Sequence, residues 1–186
     1  MKLNLGCGSK ILDGYTNVDK YDYFKADLVH DLETFPYPFK DNSVEEIIIS
    51  HVLEHIGQSP EIFLKIIKEF YRVCRHNSLI KIIVPHPRHD DFLSDPTHVR
   101  PITILGLQLF DKELNLEWKK KNAANSPLAL INKVDFKIVR VKYNLDDNYS
   151  KNIDKMKIDK MKIETDALRC NNVVKEIEID WQVRKN

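Results

Sequence analysis

The sequence predicts an α/β fold built on a parallel, doubly wound sheet, and three observations carry that prediction. Val44–Ser50 contains three consecutive isoleucines, the pattern of a strand covered on both faces. Leu79–Val84 is a second apolar run, ended by Pro85. Between them Phe63, Ile66, Ile67, Phe70, Tyr71 and Cys74 recur at spacings of three and four, which lines one face of a helix. Strand, helix and strand in that order argue for parallel pairing through a crossover.

The other elements follow in chain order. Lys2–Leu5 reads as a short strand that runs into Gly6-Cys7-Gly8, and Thr16–Val18 as a second that ends at Asp19. Lys25–Val29 holds a third candidate. Ser59-Pro60 starts the helix, with serine as N-cap and proline at the first helical position, and Asn77 marks its expected stop. Pro85–Pro101 is a polar loop with four prolines, and Thr103–Lys121 is expected to be helical. Phe136–Tyr143 and Val173–Val183 read as strands, the latter alternating through Ile177, Ile179 and Trp181. Between these two lies a tandem duplication, Ile153–Lys157 repeated as Ile158–Lys162. A five-residue period fits neither helix nor strand, and two copies are too few for a solenoid. It reads as a surface helix or insertion near 145–172. With no dividing linker, 1–186 is expected to be a single domain.

Composition narrows the function classes. A chain of 186 residues, 42% hydrophobic and 31% charged, suits one soluble globular domain. A net charge of +1 provides no general attraction to nucleic acid or to an acidic membrane surface. Lys119–Lys121 is read as a solvated helix face. The apolar runs are too short to span a bilayer, and no targeting segment is expected ahead of the first strand. The three cysteines, Cys7, Cys74 and Cys170, are odd in number and lack Cys-x-x-Cys spacing. That excludes a disulfide framework and a cysteine zinc site and points to a reducing compartment, the cytoplasm.

The sharpest local feature is Leu3-Asn4-Leu5-Gly6-Cys7-Gly8. Without Cβ atoms, Gly6 and Gly8 allow a tight turn and close approach of a ligand to the main chain. Asp19, at the end of the next strand, can accept hydrogen bonds from both hydroxyls of a ribose. It follows Gly8 by only eleven residues, where a dinucleotide fingerprint places the acid about 20 on. The third glycine of that fingerprint is also missing. The first helix must therefore be short or absent, which argues against a pyrophosphate and a nucleotide-dependent oxidoreductase.

Five blocks in order then resemble a known family: Leu3–Gly8, Asn17-Val18-Asp19, His30-Asp31-Leu32, Pro38-Phe39-x-Asp41-Asn42-Ser43 and Ser50-His51-Val52-Leu53-Glu54-His55. Together they are similar to class I S-adenosylmethionine (SAM)-dependent methyltransferases, nearest the type 11-like branch, over roughly residues 3 to 85. Asp95-Pro96-Thr97-His98 is a looser match. The resemblance implies a Rossmann-like, mostly parallel seven-strand sheet whose last two strands are antiparallel at one edge. It implies SAM as cofactor, with Asn4, Gly6, Cys7 and Gly8 along the methionine and ribose. Asp19 would hold the ribose hydroxyls, Asp31 and Leu32 would border the adenine, and Ser50 and His51 would sit beside the methyl group. Two departures stand out: Lys10 occupies the third glycine position, and Arg75-His76-Asn77 replaces the glycine pair usual before the fifth strand.

Methyl transfer to a hydroxyl needs a proton removed, and histidine suits that near neutral pH. His51 or His98 is the expected base, with Asp95 orienting a histidine or the acceptor. Loops at the carboxyl ends of the strands would bring these groups together. The expected acceptor is an oxygen of a small molecule or glycan precursor, with no nucleic acid partner and no resident metal. Two alternatives remain. The chain could bind SAM without catalysing, as a sensor or subunit. His51-Val52-Leu53-Glu54-His55 also matches the inverted zinc-protease signature, in which two histidines four apart on a helix bind zinc.

Overall fold

The computed structural model describes residues 1–153 and 160–185. The amino-terminal half runs β1 (Lys2–Leu5), β2 (Thr16–Asp19), a 3-10 turn (Asp22–Phe24), β3 (Leu28–Val29), β4 (Val44–Ser50), α1 (Pro60–Val73) and β5 (Cys74–Pro85). There follow α2 (Asp90–Leu93), α3 (Ile104–Gln108), α4 (Lys112–Lys120), α5 (Leu128–Asn132), β6 (Phe136–Leu145), α6 (Asp147–Ile153), α7 (Lys160–Arg169) and β7 (Val174–Val183). The seven strands form one sheet in the order β3-β2-β1-β4-β5-β7-β6. The first five pair in parallel, and β7 runs antiparallel to both β5 and β6. The expected architecture, with its antiparallel pair at one edge, is the one found.

The two sheet faces differ. Leu3, Leu5, Ile47, Ile49, Ile80, Ile82, Ile179 and Trp181 are buried on one face, and α1 adds Phe63, Ile66, Ile67, Phe70 and Val73 to the same core. The Trp181 ring stacks on Phe136 at 4.0 Å between centroids and meets Phe110 edge-on at 5.9 Å. On the other face Glu46 bridges Lys2 and Lys81, Asp180 pairs with Arg140, and Glu178 with Lys142. Such opposite-charge neighbours stabilise a solvated sheet surface. Ile48 shares that face and is only half-buried, so the isoleucine triplet is covered fully on one side alone. Consistent with this, the described connections from β1 to β4 contain no α-helix.

Several boundaries differ from the sequence expectation. Ser59 caps α1 as expected, accepting from the Ile62 N–H at 3.2 Å. The helix ends at Val73 rather than at Asn77, because the amides of Asn42 and Ser43 take its last carbonyls, those of Arg72 and Val73. Asn77 instead has a left-handed φ of 64° where β5 shifts register against β4. The segment Thr103–Lys121 forms two helices, since buried Asp111 caps a new start by accepting from the Leu114 N–H at 3.1 Å. Leu128–Asn132 is a short helix that the apolar pattern did not announce. The segment between β6 and β7 contains α6 and α7, while residues 154–159, most of the duplication, lie outside the described residues. Among the described residues no helix is long and apolar enough to cross a membrane.

Candidate functional site

The carboxyl ends of β1 and β2 build one wall. Gly6 and Gly8 both take left-handed conformations, φ 65° and 49°. A Cβ on Gly6 would lie 2.3 Å from Val52 Cγ2, so only glycine lets the β1 turn pass the segment after β4. Buried Cys7 extends the pairing, donating from its amide to the Val18 carbonyl at 3.0 Å. Burial, and after it the Asp19 charge, push the Cys7 thiol up, which keeps it neutral. The Gly8 N–H donates to Asp19 Oδ2 at 2.8 Å, and the Tyr21 N–H to Asp19 Oδ1 at 3.0 Å. Asp19 is 8% exposed, and each of its oxygens retains a lone pair for a ligand. Asn4 stands apart: its amide donates to the Lys10 carbonyl and to Asn17 Oδ1, so it braces the loop from behind.

Gly6, Asp19, Asp31, Leu32, His51 and His55 line a single cavity of about 320 Å³. That volume lies in the range of small-ligand sites. Asp31 faces Lys20 at 2.9 Å and accepts from the Glu33 N–H at 3.0 Å. Burial pushes its carboxyl up, but these two partners outweigh it and hold the group below its ordinary value. Leu32 is buried beside it, its carbonyl held by the Tyr37 hydroxyl at 2.8 Å. Lys20 and Glu33, which complete this rim, were not singled out in the sequence because their role depends on the fold of the β2–β4 connections.

The opposite wall follows β4. Ser50 ends the strand and pairs in register with Ile83, and it is not part of the cavity lining. His51 takes a left-handed φ of 54°, and its amide donates to the Ile83 carbonyl at 2.8 Å. The His51 Nε2 sits 2.8 Å from Glu176 on β7, and its Nδ1 lies 3.6 Å from Glu54 Oε1. Glu54 foremost raises the imidazole's proton affinity; partial burial opposes it, and Glu176 adds to the rise. Glu176 was invisible in the sequence, since it arrives only because β7 lies beside β5, where Pro85 and Glu176 pair.

His51–His55 forms a turn rather than a helix. The two histidines therefore do not share a helical face, and the pair that the zinc-protease signature requires is not formed. His55 instead meets the loop after β5: its Nδ1 is 2.9 Å from Thr97 Oγ1, whose hydroxyl donates to Asp95 Oδ1 at 2.6 Å. His98 lies behind His55, ring centroids 4.5 Å apart, and stacks on Phe92 at 5.0 Å. The His98 side chain is 7% exposed and, like Asp95, does not line the cavity. His89, in the loop after β5, caps α2 and contacts Asp146, a structural position. A second cavity of about 380 Å³, between α1 and α3, is apolar apart from Arg100 and Thr103 and holds none of the expected site residues.

The cavity at the carboxyl ends of β1, β2 and β4 presents groups of the kinds that SAM needs. A side-chain-free wall at Gly6, an acid with spare acceptor sites at Asp19 and an apolar shelf at Leu32 with Asp31 beside it match a sugar, a base and a chain to be laid against backbone. No protein-family model and no curated protein matches the chain. Solved structures do. A SAM-dependent methyltransferase from Archaeoglobus fulgidus superposes with a TM-score of 0.63 at 19% identity, over 97% of this chain and 85% of the other. A putative S-adenosylmethionine-dependent methyltransferase from Listeria monocytogenes gives 0.54 at 13% identity, over 99% and 91%. The [4+2]-cyclase SpnF gives 0.53 at 11% identity, over 100% and 75%. That a cyclase shares the architecture means the likeness speaks for fold and leaves the reaction to the site. The chain has the Rossmann-like α/β fold of the class I SAM-dependent methyltransferases.

Proposed function

We propose that the chain binds SAM in the cavity between the β1 turn and the β4 end and transfers its methyl group to an oxygen of a small molecule or glycan precursor. The observation that supports this reading is convergence. Asp19, on the Gly8 N–H at 2.8 Å, shares one cavity with Gly6, Asp31, Leu32 and His51, residues from four separate sequence blocks. When bound, SAM supplies a sulfonium-activated methyl group, so the protein's task is orientation and proton handling. Gly6 offers bare main chain to the methionine and ribose, while Cys7 and Gly8, whose amides are taken by Val18 and Asp19, shape the turn and Asn4 braces it. Asp19 accepts from the ribose hydroxyls, and Asp31 from the exocyclic amine of the adenine resting on Leu32. Ser50 fixes the strand end from which His51 projects.

His51 is the candidate base. Glu176 holds its Nε2, and its Nδ1 has no partner within hydrogen-bond distance, so Nδ1 is the nitrogen free to take the acceptor's proton. His98 and Asp95, the other candidates, reach the cavity through His55 and act as positioning residues. Free Cys7, Cys74 and Cys170 suit a reducing compartment such as the cytoplasm.

Isothermal titration with SAM and with its demethylated product tests the reading. Wild type should bind both, and Asp19→Asn should lose at least about tenfold in affinity, about 1.4 kcal/mol. Absence of binding by the wild type, or equal affinity in the variant, overturns it. Radiolabelled SAM with a panel of hydroxylated acceptors then separates a catalyst from a SAM-binding sensor.

A further inference from the structure

We propose that Glu54, His55 and His98 form a binding site for one divalent first-row transition-metal ion in the wall of the cavity. One ring nitrogen from each histidine and one Glu54 oxygen lie within 4.8 Å of one another. Two ligands of a single ion, each about 2.1 Å from it, stand roughly 3–3.5 Å apart, so a small closure completes the set.

The hydrogen bonds aim the histidines. The His98 Nδ1 lies 2.8 Å from the Phe92 carbonyl, which can only accept, so Nδ1 carries the proton and Nε2 presents its lone pair. The Thr97 hydroxyl gives its proton to Asp95, so it accepts from His55 Nδ1 and leaves His55 Nε2 with a lone pair as well. A carbonyl or a carboxylate-linked group on the far nitrogen is the usual support of a metal-bound imidazole. The loop is clipped in place besides: the Val99 and Arg100 amides both donate to the Glu54 carbonyl, at 2.9 and 3.2 Å.

Glu54 supplies an independent observation. It is 1% exposed, and neither carboxylate oxygen has a hydrogen-bond partner. His51 Nδ1, 3.6 Å away, is too far for one. His51 thus meets Glu54 only as an ion-pair neighbour, and a buried carboxylate without hydrogen bonds is costly unless a cation sits closer. Asp95 Oδ2, 3.9 Å from His98 Nε2, adds negative charge beside the cluster without belonging to it. Two imidazoles with carboxylate oxygens suit zinc, iron or manganese rather than calcium. This departs from the sequence expectation of no metal. The inverted-protease motif does contribute Glu54 and His55, but the second histidine is His98, delivered by a loop 43 residues away in sequence from His55.

Because His55 also lines the cavity below the β4 end, an ion held here would lie beside a bound acceptor and could take one of its oxygens as a ligand. That last role rests on the methyl-transfer reading; metal binding itself does not. The test is titration of tag-free, EDTA-stripped protein with Co²⁺, followed by visible absorption and equilibrium dialysis. One equivalent should bind, and Glu54→Gln and His98→Ala should each weaken binding by about tenfold or more with unchanged circular dichroism. Thr97→Val, which removes the hydroxyl that links His55 to Asp95 and leaves the Thr97 amide on Asp95, is the milder variant should either of these fail to fold, and it should weaken binding in the same direction. Asp19→Asn should bind Co²⁺ like the wild type. Uptake that is not saturable, or that the folded variants leave unchanged, overturns the site. Co²⁺ binding without SAM binding would leave this site standing and remove the methyl-transfer reading; SAM binding without Co²⁺ binding would do the reverse.

Discussion

Replacing Gly6 by alanine should damage this protein far more than the same change at Gly8, two residues on. Both positions have positive φ, so alanine at either meets the left-handed penalty of roughly 1–2 kcal/mol. At Gly8 nothing lies within 4 Å of the added carbon. At Gly6 the new Cβ would stand 2.3 Å from Val52 Cγ2, 3.0 Å from Cγ1 and 3.2 Å from Cβ. Ordinary carbon contacts begin at about 3.5 Å, so the worst overlap is about 1.2 Å. Turning the Val52 side chain does not remove it, since both methyls and Cβ crowd the same point and a β-branched χ1 is stiff. Backbone must move, which in packed surroundings costs about 1–3 kcal/mol. The sum for Gly6→Ala is about 2–5 kcal/mol, against about 1–2 for Gly8→Ala. Urea unfolding followed by circular dichroism measures both. Adding Val52→Ala to Gly6→Ala should return the crowding share and leave the φ penalty, a coupling of about 1–3 kcal/mol in the double-mutant cycle. Equal destabilisation at the two glycines, or a cycle without coupling, would refute the reasoning.

Two further outcomes follow from charges outside the cavity. Glu69 is 12% exposed and accepts from the Tyr37 amide at 2.6 Å and from Arg72 at 2.7 and 2.8 Å. Burial pushes its carboxyl up, but these bonds prevail and hold it below its ordinary value. Its contribution is therefore complete above the unfolded carboxylate pKa of about 4.3 and is lost as pH falls through the folded value. Glu69→Gln should be less stable than wild type by about 1–2 kcal/mol at pH 7, with the gap closing towards pH 3; a gap that stays constant in urea titrations over that range would contradict this. Arg184 joins the end of β7 to Asp111, Asp135 and Glu113 at 2.6–2.7 Å. Arg184→Ala strands the buried Asp111 carboxylate and should cost about 2–4 kcal/mol, lowering the melting temperature by roughly 5–15 °C. A melting temperature that does not move would show that the triad is already solvated.

Much of the amino-terminal half was legible because its signals are local. A serine before a proline starts a helix by its own hydrogen bond, and the apolar spacing after it determines which face of α1 turns inward. The edges of elements were less legible where distant groups intervene. The helix ends at Val73 because the Asn42 and Ser43 amides take its carbonyls, and Thr103–Lys121 divides where Asp111 caps a second start. Asn4, which the family resemblance puts along the cofactor, has its amide occupied by Lys10 and Asn17.

By itself the sequence determined the strand–helix–strand unit from β4 to β5, the glycine turn and the acid that follows it. Those features depend on backbone freedom, periodicity and short spacing, all of which act within a few residues. Only the tertiary structure decided which histidine meets which carboxylate. Glu176 reaches His51 because β7 enters the sheet antiparallel beside β5, and His98 reaches His55 because Glu54 takes two amides from the loop after β5. Contacts of that kind join residues far apart in the chain, and no local pattern encodes the register or loop closure that creates them.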